Sequence, residues 1–492
     1  MPNSTIETDV LIAGAGPVGL FLANECARRG IRFRILEERA AQSIYSKALA
    51  IFPRTLEIFD MAGVVAPFLE RANHVTKVAV ISHDRALAHL RFEPHDTPYP
   101  FVAMVPQDVT EHLLVEELQR KGGNVEYNTV FVSAEQDDKA VVAIANREGE
   151  RLQIRASFLI GCDGAHSAVR SGLNVGFEGG DYHDSYLLAD IETNTILPAD
   201  EMQLCPSELG PLAIFPMSAT RRRVVATIDQ REGDAPSLDL VRDLVTQRAP
   251  AGLEARALHW SSYFQIHHRR ALKLHQGRIF IAGDAAHIHS PFGGQGMNTG
   301  LHDVWNLAWK LDLFLRGHGN QQLLASYDAE RLPVIKSVID TTDTLTKAMG
   351  TKSKFAQALR DAVIPMVSHI APFHHALVER LSELGIAYRG SPIVEGPGKR
   401  YFDDSLRGDN RIMNRYLLLT AAGDAAAQQT ANRLCKSFPD VVAFRPSQDH
   451  GLKLIRPDGY IAYSTPQGGD AAFDALRSIL ARQTSSSEAL VH

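Results

Sequence analysis

The chain has 492 residues, of which 45% are hydrophobic and 22% charged, so it can bury a large core and is not an intrinsically disordered protein. Its 51 Lys and Arg against 57 Asp and Glu leave a net charge of −6, which gives no reason to expect nucleic acid or an anionic membrane as a partner. The four cysteines form no C-x-x-C pair, so a disulfide scaffold, a zinc site and a dithiol centre lack support. We expect a cytoplasmic protein of about three domains.

The first forty residues contain a complete strand–turn–helix–strand pattern. The apolar run Asp9–Ala13 leads into Gly14-Ala15-Gly16-Pro17-Val18-Gly19. A helical pattern follows and ends at Gly30, before a second apolar run at Phe33–Leu36. A G-x-G-x-x-G turn between a strand and a helix is typical of dinucleotide binding. The N-terminus is therefore predicted to begin a Rossmann-like unit.

Each glycine of this turn has a physical role in such a unit. Gly14 permits the tight turn, Gly16 lets the backbone approach a pyrophosphate, and Gly19 lets the helix pack closely on the strand. The free N–H groups at the helix start then bind the anion. Glu37, 23 residues after Gly14, is placed to accept hydrogen bonds from a ribose. Glu38 takes that role if the strand register shifts by one residue.

The middle of the chain shows mainly strand patterns, with two helices among them. Short alternating strands are predicted at about 78–101, and further strands at 125–160 with a hairpin turn at Asn146–Glu150. A second strand-rich block is predicted at about 181–266. Helical spacing occurs at Val109–Lys121 and at Leu238–Arg248. Mixed α/β character resumes at about 278.

The last third begins with helices and ends with strands. A long helix is predicted to start near Asn298, and helical patterns continue to about Leu384. The stretch Gly390–Arg400 is rich in Gly, Pro and Arg and is interpreted as a linker. The final predicted elements are two strands and a hairpin, at Tyr416–Thr420, Val441–Phe444 and Pro457–Gly459.

Two further turns follow apolar strands. One is Gly161-Cys162-Asp163-Gly164, in which Asp163 alone is as consistent with helix capping as with ligand binding. The other is Gly283-Asp284, with a strand before it and a glycine-rich loop and a helix after it. The strand delivers Asp284 to its carboxyl end, where ligands of open α/β sheets bind. His287 and His289 lack a third ligand at suitable spacing, so no metal site is predicted.

Together the three motifs, Gly14-x-Gly16-x-x-Gly19, Gly161-x-Asp163-Gly164 and Gly283-Asp284, resemble those of the single-component FAD-dependent aromatic hydroxylases, whose fold is similar to that of para-hydroxybenzoate hydroxylase. The resemblance covers residues 5–385. A weaker similarity at Leu454–Tyr463 is to the C-terminal thioredoxin-like domain of the phenol and polyketide hydroxylases. Without a Cys pair, that domain is expected to be structural.

The resemblance implies an α/β fold with three domains. The Rossmann-like FAD-binding domain and its helical extension would take 1–77, 102–180 and 275–390. An inserted antiparallel β-sheet domain for the substrate would take 78–101 and 181–274. The thioredoxin-like α/β domain would take 391–492. The sequence does not fix the oligomeric state, and a homodimer is one option.

The resemblance also implies which residues hold FAD. The glycine-rich turn and Glu37 would bind the pyrophosphate and the ribose. Lys47 would lie near the phosphates, where many relatives carry an arginine. Gln107 and Asp284 would approach the ribityl chain, Pro291 the flavin ring, and the backbone at 296–298 its pyrimidine end. The full predicted set is Gly14, Gly16, Pro17, Val18, Gly19, Glu37, Glu38, Lys47, Gln107, Asp163, Asp284, Pro291, Gly294, Gly296, Met297 and Asn298.

The implied reaction is oxygen insertion into a small aromatic molecule. NAD(P)H would bind transiently and reduce FAD, and O2 would then give a flavin C4a-hydroperoxide that hydroxylates a phenolic or polyketide-like substrate. Phenol hydroxylases carry an acid ahead of an Arg-Thr-Leu-Glu; here Ala48–Pro53 precedes Arg54-Thr55-Leu56-Glu57 without one. A bulkier aromatic substrate than a simple phenol is therefore favoured.

Several alternatives stay open on the sequence. Baeyer–Villiger oxygenation and a flavin-dependent dehydrogenase or reductase would use the same fold, and a non-catalytic flavoprotein would bind an aromatic ligand only. A W-x-W-x-I-P halogenase motif is absent from the sequence. The residue that activates the substrate is not identified; the candidates are Tyr182, His183, Tyr186, Tyr263 and His267.

Overall fold

The computed structural model describes residues 6–44, 46–82, 85–93, 96–289, 293–349, 376, 378–407, 414–447 and 451–485. The ten helices labelled here are α1 Pro17–Arg29, α2 Pro53–Met61, α3 Val65–Arg71, α4 Gln107–Arg120, α5 Ala168–Gly172, α6 Leu238–Arg248, α7 Gly296–Leu315, α8 Gln321–Met349, α9 Ala425–Ser437 and α10 Asp470–Gln483. Within these residues, none of the helices combines the length and apolar character that crossing a membrane would require.

The strands form three main sheets and one small one. They are β1 Ile6–Ala13, β2 Phe33–Leu36, β3 Ala50–Ile51, β4 Asn73–Val75, β5 Lys77–Ser82, β6 Arg85–Arg91, β7 Val102–Met104, β8 Val125–Glu126, β9 Thr129–Gln136, β10 Val141–Arg147, β11 Glu150–Gly161, β12 Phe177–Thr193, β13 Glu201–Cys205, β14 Leu212–Pro216, β15 Arg221–Ile228, β16 Ala255–Ala271, β17 His275–Gln276, β18 Ile279–Ile281, β19 His287–Ile288, β20 Tyr416–Ala421, β21 Val442–Ser447, β22 Leu452–Ile455 and β23 Ile461–Thr465.

The first sheet places the three sequence motifs at one edge. Its order is β17-β18-β11-β1-β2-β8, and β1 runs parallel to β2 and β11, as β11 does to β18. Each motif turn follows the carboxyl end of one of the three neighbouring strands β1, β11 and β18. Because carboxyl ends of parallel strands share a sheet edge, turns far apart in sequence meet there. The predicted Rossmann-like arrangement is confirmed.

Helix α1 forms as the sequence predicts. Pro17 occupies its first turn, where the missing N–H costs nothing, and Gly30 ends it with φ of 73° and donates its N–H to the carbonyl of Ala27. The helix buries Leu20, Phe21 and Leu22 in the largest core of the protein. The first turn of α1 is thereby fixed above the sheet edge.

The second sheet has the order β19-β16-β12-β15-β14-β13-β5-β6. It was predicted to be antiparallel, and one pair departs from this: β13 and β5, which come from separate parts of the chain, run parallel. Strand β19 belongs to the third motif and pairs with β16 through Arg269 and Arg270. This pairing brings the second sheet to the edge where the motifs converge.

The C-terminal sheet has the order β21-β20-β22-β23, with β20 and β21 parallel and the other pairs antiparallel. Helices α9 and α10 complete the predicted thioredoxin-like unit. The stretch interpreted as a linker, Gly390–Arg400, is not free: Ile393 is fully buried in the same core as Trp309 and Tyr416. Apolar side chains within the Gly/Pro-rich stretch explain this packing.

Candidate functional site

The first two motif turns are in direct backbone contact. Gly14 has φ of 96°, and a Cβ atom there would lie 2.4 Å from the carbonyl oxygen of Cys162. A Cβ on Gly19 would lie 2.0 Å from the carbonyl oxygen of Gly14. Only glycine allows these approaches, so both residues build the turn rather than face a ligand.

The third motif packs on the first through Val18. Gly283 has φ of 60°, and its Cβ position is 3.0 Å from Val18 Cγ2. Gly300, on α7, faces the same methyl group, with a Cβ position 2.7 Å from it and 2.9 Å from Gly283 Cα. Gly300 was not identified from the sequence, where it is one more small residue in a helix. The three motifs thus form one unit.

A cavity of about 670 Å³ opens beside this unit and reaches the second sheet. Its wall includes many of the predicted residues, namely Gly16, Pro17, Val18, Lys47, Gln107, Asp284, Gly294, Gly296 and Met297. The opposite wall is formed by the second sheet, with Leu188, Phe215, Arg223, Val225 and Trp260. The cavity is therefore lined by polar backbone at one end and by largely apolar side chains at the other.

The start of α1 is open to the cavity. Gly16 is its N-cap, no side chain caps the helix, and a Cβ atom on Gly16 would meet nothing within 4 Å. The first N–H groups of a helix have no partner within it and carry partial positive charge. The arrangement fits an anionic group in contact with the turn.

Glu37 and Glu38 have different surroundings. Glu37 is buried, accepts a hydrogen bond from Ala15 N at 2.7 Å and pairs with Arg39 Nε at 2.7 Å. Although burial raises the pKa of Glu37, the hydrogen bonds of Arg39 and Ala15 bring it below its ordinary value. Glu38 is exposed. The structure therefore favours Glu37 as the residue beside the turn, and it adds Arg39, which also lines the cavity.

Asp284 faces the cavity from the carboxyl end of β18. Its side chain is exposed to the cavity that it lines, and no described residue donates a hydrogen bond to it. Removal from bulk solvent raises the pKa of Asp284, and the charges of His287 and Lys47 partly oppose this. A carboxylate held in this way is suited to accept hydrogen bonds from a ligand.

Gln107 holds the loop that carries Lys47. Its side chain accepts from Ala48 N at 3.0 Å and donates to Glu111 at 3.0 Å, while its backbone N–H donates to Ser46 Oγ. The loop is held from the other side by Arg223. Gln107 therefore both lines the cavity and positions one wall of it.

Asp163 caps the short helix α5. Its two oxygens accept from Ser167 Oγ at 2.5 Å and from Val169 N at 3.1 Å. Its neighbours Cys162 and Gly164 line the cavity. Arg170, on the same turn, donates to the carbonyl of Ala285 at 2.9 Å and so connects the second motif with the third. A cofactor role for Asp163 stays a prediction.

Asn298, near the start of α7, is fully buried and is hydrogen-bonded to two other segments of the chain. Its amide nitrogen donates to the carbonyls of Ala50 and Gly294, and its amide oxygen accepts from Phe52 N and Thr55 Oγ1. Asn298 thereby fixes the segments on both sides of the α7 start. Pro291 lies outside the described residues.

Arg223 was missed at the sequence level. It is buried, forms two hydrogen bonds with Asp190 at 2.7 and 2.9 Å, and donates to the carbonyls of Lys47 and Ala48. Its guanidinium lies 5.8 Å from the centre of the Trp260 ring. The run Arg221-Arg222-Arg223 alternates along β15, but the sequence does not show which arginine faces the cavity.

The candidates for substrate activation do not meet in the described part of the cavity wall. Tyr186 is buried and stacks on Phe264, with ring centres 5.5 Å apart. The Tyr263 hydroxyl donates to the carbonyl of Glu232. The side chains of Tyr182, His183 and His267 lie outside the described residues. His287 pairs with Asp303 at 2.8 Å, and no described group of three or more such side chains could hold a metal ion.

A Rossmann-like turn, a carboxylate at the third strand end and a cavity beside them are typical of a dinucleotide-binding protein. A family model described as an FAD binding domain matches residues 7–342. The chain thus belongs to the FAD-dependent aromatic hydroxylase family.

Known proteins align with this chain over nearly its whole length. The 6-methylpretetramide 4-monooxygenase of Streptomyces rimosus is 30% identical over 96% of this chain and 94% of its own. A rifampicin monooxygenase of Streptomyces venezuelae is 31% identical over 93% and 95%. The solved anhydrotetracycline hydroxylase of Streptomyces rimosus has a TM-score of 0.79 at 29% identity and covers 96% of this chain and 99% of its own. The protein is an FAD-dependent monooxygenase, and NAD(P)H is the co-substrate typical of its family.

The residues present fit FAD. The uncapped start of α1, the open space at Gly16 and the Asp284 carboxylate, which accepts no hydrogen bond from a described residue, are each suited to one part of the cofactor. The α1 start with Gly16 would hold a pyrophosphate, and Asp284 would hold a hydroxylated chain.

We expect Gly16→Val to weaken FAD binding at least tenfold, about 1.4 kcal/mol or more, without loss of stability. Gly16 has φ of −73° and ψ of −179°, which valine adopts readily, and its Cβ position is open at the wall of the cavity. FAD titration and thermal unfolding of the apoprotein check this. The control is Gly172→Val, which also meets open space but lies outside the cavity. Equal FAD affinity of the Gly16 variant and the wild type would contradict the placement.

Proposed function

We propose that the protein hydroxylates a large aromatic, polyketide-like molecule, with FAD held along the motif edge by the residues predicted for it. The observation that carries this is the single cavity that joins the α1 start and Asp284 to the apolar face of the second sheet. A cofactor and its substrate need such a shared, water-poor space. The named relatives act on 6-methylpretetramide, rifampicin and anhydrotetracycline, which supports a substrate larger than a phenol.

When bound, FAD supplies the activation of O2 with electrons from NAD(P)H. The chain itself supplies position and charge. The uncapped start of α1 and Arg39 would bind the phosphates, and the start of α7 would support negative charge on the ring system. Leu188, Phe215 and Val225 would pack against an aromatic substrate and exclude water.

Arg223 is the charged side chain named on the cavity wall that the second sheet forms, where the substrate would bind. Its pairing with Asp190 fixes the guanidinium, and its remaining contacts hold the Lys47–Ala48 loop. A fixed cation near a phenol oxygen favours the deprotonated, more reactive form of the ring. We propose that Arg223 serves this purpose in place of an acid ahead of Arg54.

We propose that the three domains have the bounds predicted from the sequence and that the protein works in the cytoplasm. The sheets support most of the division, since β5, β6 and β12–β16 lie in one sheet, which β19 of the FAD-binding part joins at its edge, and β20–β23 form another. The absence of a C-x-x-C pair in the sequence is consistent with a reducing compartment.

Substrate-stimulated NAD(P)H consumption tests this function. Tricyclic and tetracyclic phenols are supplied to the holoprotein under 18O-labelled O2, and we expect at least one of them to accelerate NAD(P)H oxidation and to gain one labelled oxygen atom. Label in an ester or lactone oxygen would indicate Baeyer–Villiger chemistry, and NAD(P)H oxidation without label in any product would indicate a reductase. Either result would overturn the proposal of hydroxylation.

A further inference from the structure

Glu383 is a buried carboxyl group without a hydrogen-bond partner. Its side chain is 2% exposed, and neither carboxyl oxygen has a partner within the described part of the chain. Its φ of 62° lies in the left-handed region, which residues other than glycine rarely adopt. Such features persist only where the surrounding structure holds them, and they concentrate at functional positions.

Charged and titratable groups surround Glu383 from three helices. His302 of α7 lies 3.5 Å away, measured from Nε2 to the carboxyl oxygen. Arg331 of α8 and Arg54 of α2 contribute positive charge, and Asp303 of α7, paired with Arg331 at 2.7 Å, contributes negative charge. On its own segment, Glu379 and Arg380 are exposed.

These surroundings favour the uncharged forms of both Glu383 and His302. Burial raises the pKa of Glu383 to about 8. The positive charge of Arg331 acts to lower this pKa, and the negative charge of Asp303 acts to raise it. Burial, with Arg331 and Arg54, holds the pKa of His302 well below its ordinary value. Near neutral pH the pair therefore carries no charge.

A chain of hydrogen bonds leads from His302, which lies 3.5 Å from Glu383, to Asn298. The Thr55 hydroxyl donates to the Asn298 amide oxygen at 2.8 Å, so its oxygen accepts from His302 Nε2 at 3.0 Å. His302 then carries its proton on Nε2, and its Nδ1 has no partner among the described residues. The same segments are joined through the backbone, because Arg54 N donates to the carbonyl of Ser382. Glu383 is thus connected to the residue that fixes the start of α7.

Glu383 lines a second cavity of about 420 Å³ between α8 and the segment 379–387. Gln295 lines this outer cavity, while its neighbours Gly294 and Gly296 line the first one. Consecutive residues at the α7 start therefore line different cavities.

We propose that Glu383 is a positioning residue that stores a proton behind the start of α7 and so keeps this helix end favourable for the electron-rich end of the cofactor; this rests on the proposed FAD placement. Protonated Glu383 adds no charge. Ionised Glu383 would oppose the partial positive charge of the helix start. It would also compete with Thr55 for the Nε2 proton of His302, because a carboxylate is the stronger acceptor.

The affinity for FAD as a function of pH tests the proposal. From about pH 6 to about pH 9.5, the wild type should lose about three- to tenfold in FAD affinity, with a midpoint near the raised pKa of Glu383. Glu383→Gln, which mimics the protonated form, should bind FAD at the upper pH as tightly as the wild type does at the lower. The control Glu379→Gln, an exposed acid on the same segment that also lines the outer cavity, should follow the wild type.

A second measurement reports the proton itself. Infrared difference spectra of the holoprotein between the two pH values should show the loss of a carboxylic acid C=O band in the wild type and in Glu379→Gln, but not in Glu383→Gln. The absence of this band in the wild type, or the same affinity profile in Glu383→Gln and wild type, would overturn the proposal. A wild type that binds no FAD at any pH would instead refute the FAD placement itself.

Discussion

Glu330→Ala is expected to destabilise the protein by roughly 3–5 kcal/mol, because it leaves the buried Lys310 without its ion-pair partner and Arg456 with Asp458 alone. Glu330 is fully buried on α8 and accepts hydrogen bonds from both terminal nitrogens of Arg456, from Lys310 at 2.8 Å and from Ser391 at 2.6 Å. Burial alone would raise the pKa of Glu330, but the charges of Arg456 and Lys310 hold it well below its ordinary value. The carboxylate is therefore ionised across the physiological range.

The same cluster joins the C-terminal sheet to the cofactor-binding part. Asp458, in the turn between β22 and β23, pairs with Arg456, and its backbone carbonyl accepts from Arg54 and Trp305. Arg54 lies in the first turn of α2, and Trp305 lies on α7. Loss of the Glu330 charge should therefore weaken the packing of α8. It should also weaken the contact between the C-terminal sheet and the cofactor-binding part.

Urea unfolding of the apoprotein measures this effect. The matched control is Lys336→Ala on the same helix, whose ion pair with Asp340 has side chains 58% and 56% exposed and is expected to contribute less than about 1 kcal/mol. A Glu330→Ala midpoint no lower than that of Lys336→Ala would show that the cluster does not hold the two parts together.

Asp284→Ala is expected to weaken FAD binding by roughly 2–4 kcal/mol, or thirtyfold to several hundredfold. The carboxylate faces the cavity and has no hydrogen-bond donor among the described residues, so the hydroxyl groups of a bound cofactor would be its partners. Because Asp284 is exposed to the cavity and makes no described hydrogen bond, its removal should leave the apoprotein as stable as before, or more so.

FAD titration and apoprotein unfolding separate the two effects. Loss of affinity with unchanged stability supports a ligand-binding carboxylate. Asp328→Ala is a suitable control for the loss of an acid, since Asp328 pairs with His275 at 2.9 Å and does not line the cavity. Full FAD occupancy of Asp284→Ala would remove Asp284 from the cofactor site.

The elements that the sequence predicted well are those set by local chemistry. Gly30 ends α1 because a left-handed residue is needed there, and Leu238–Arg248 forms a helix over the predicted range. The three motif turns were recognised as related because each follows an apolar strand, and parallel pairing then brings them together. Local spacing is sufficient for these features.

The features that were missed depend on partners far away in the chain. Arg223 is one of three consecutive arginines, and only the register of β15 decides that it pairs with Asp190. Glu330 and Arg456 are 126 residues apart, so nothing local marks them as a buried pair. Glu383 lies in a helical-looking stretch whose packing against α7 no periodicity reveals. Gly390–Arg400 has the composition of a linker but contributes Ile393 to a core.

We propose that three separate turns form one FAD site, and the FAD content of the purified protein decides whether they do. FAD released by denaturation is quantified against protein concentration, both as purified and after reconstitution of the apoprotein. One FAD per chain is the predicted result. A protein that stays colourless after reconstitution, with no FAD released, would contradict the account.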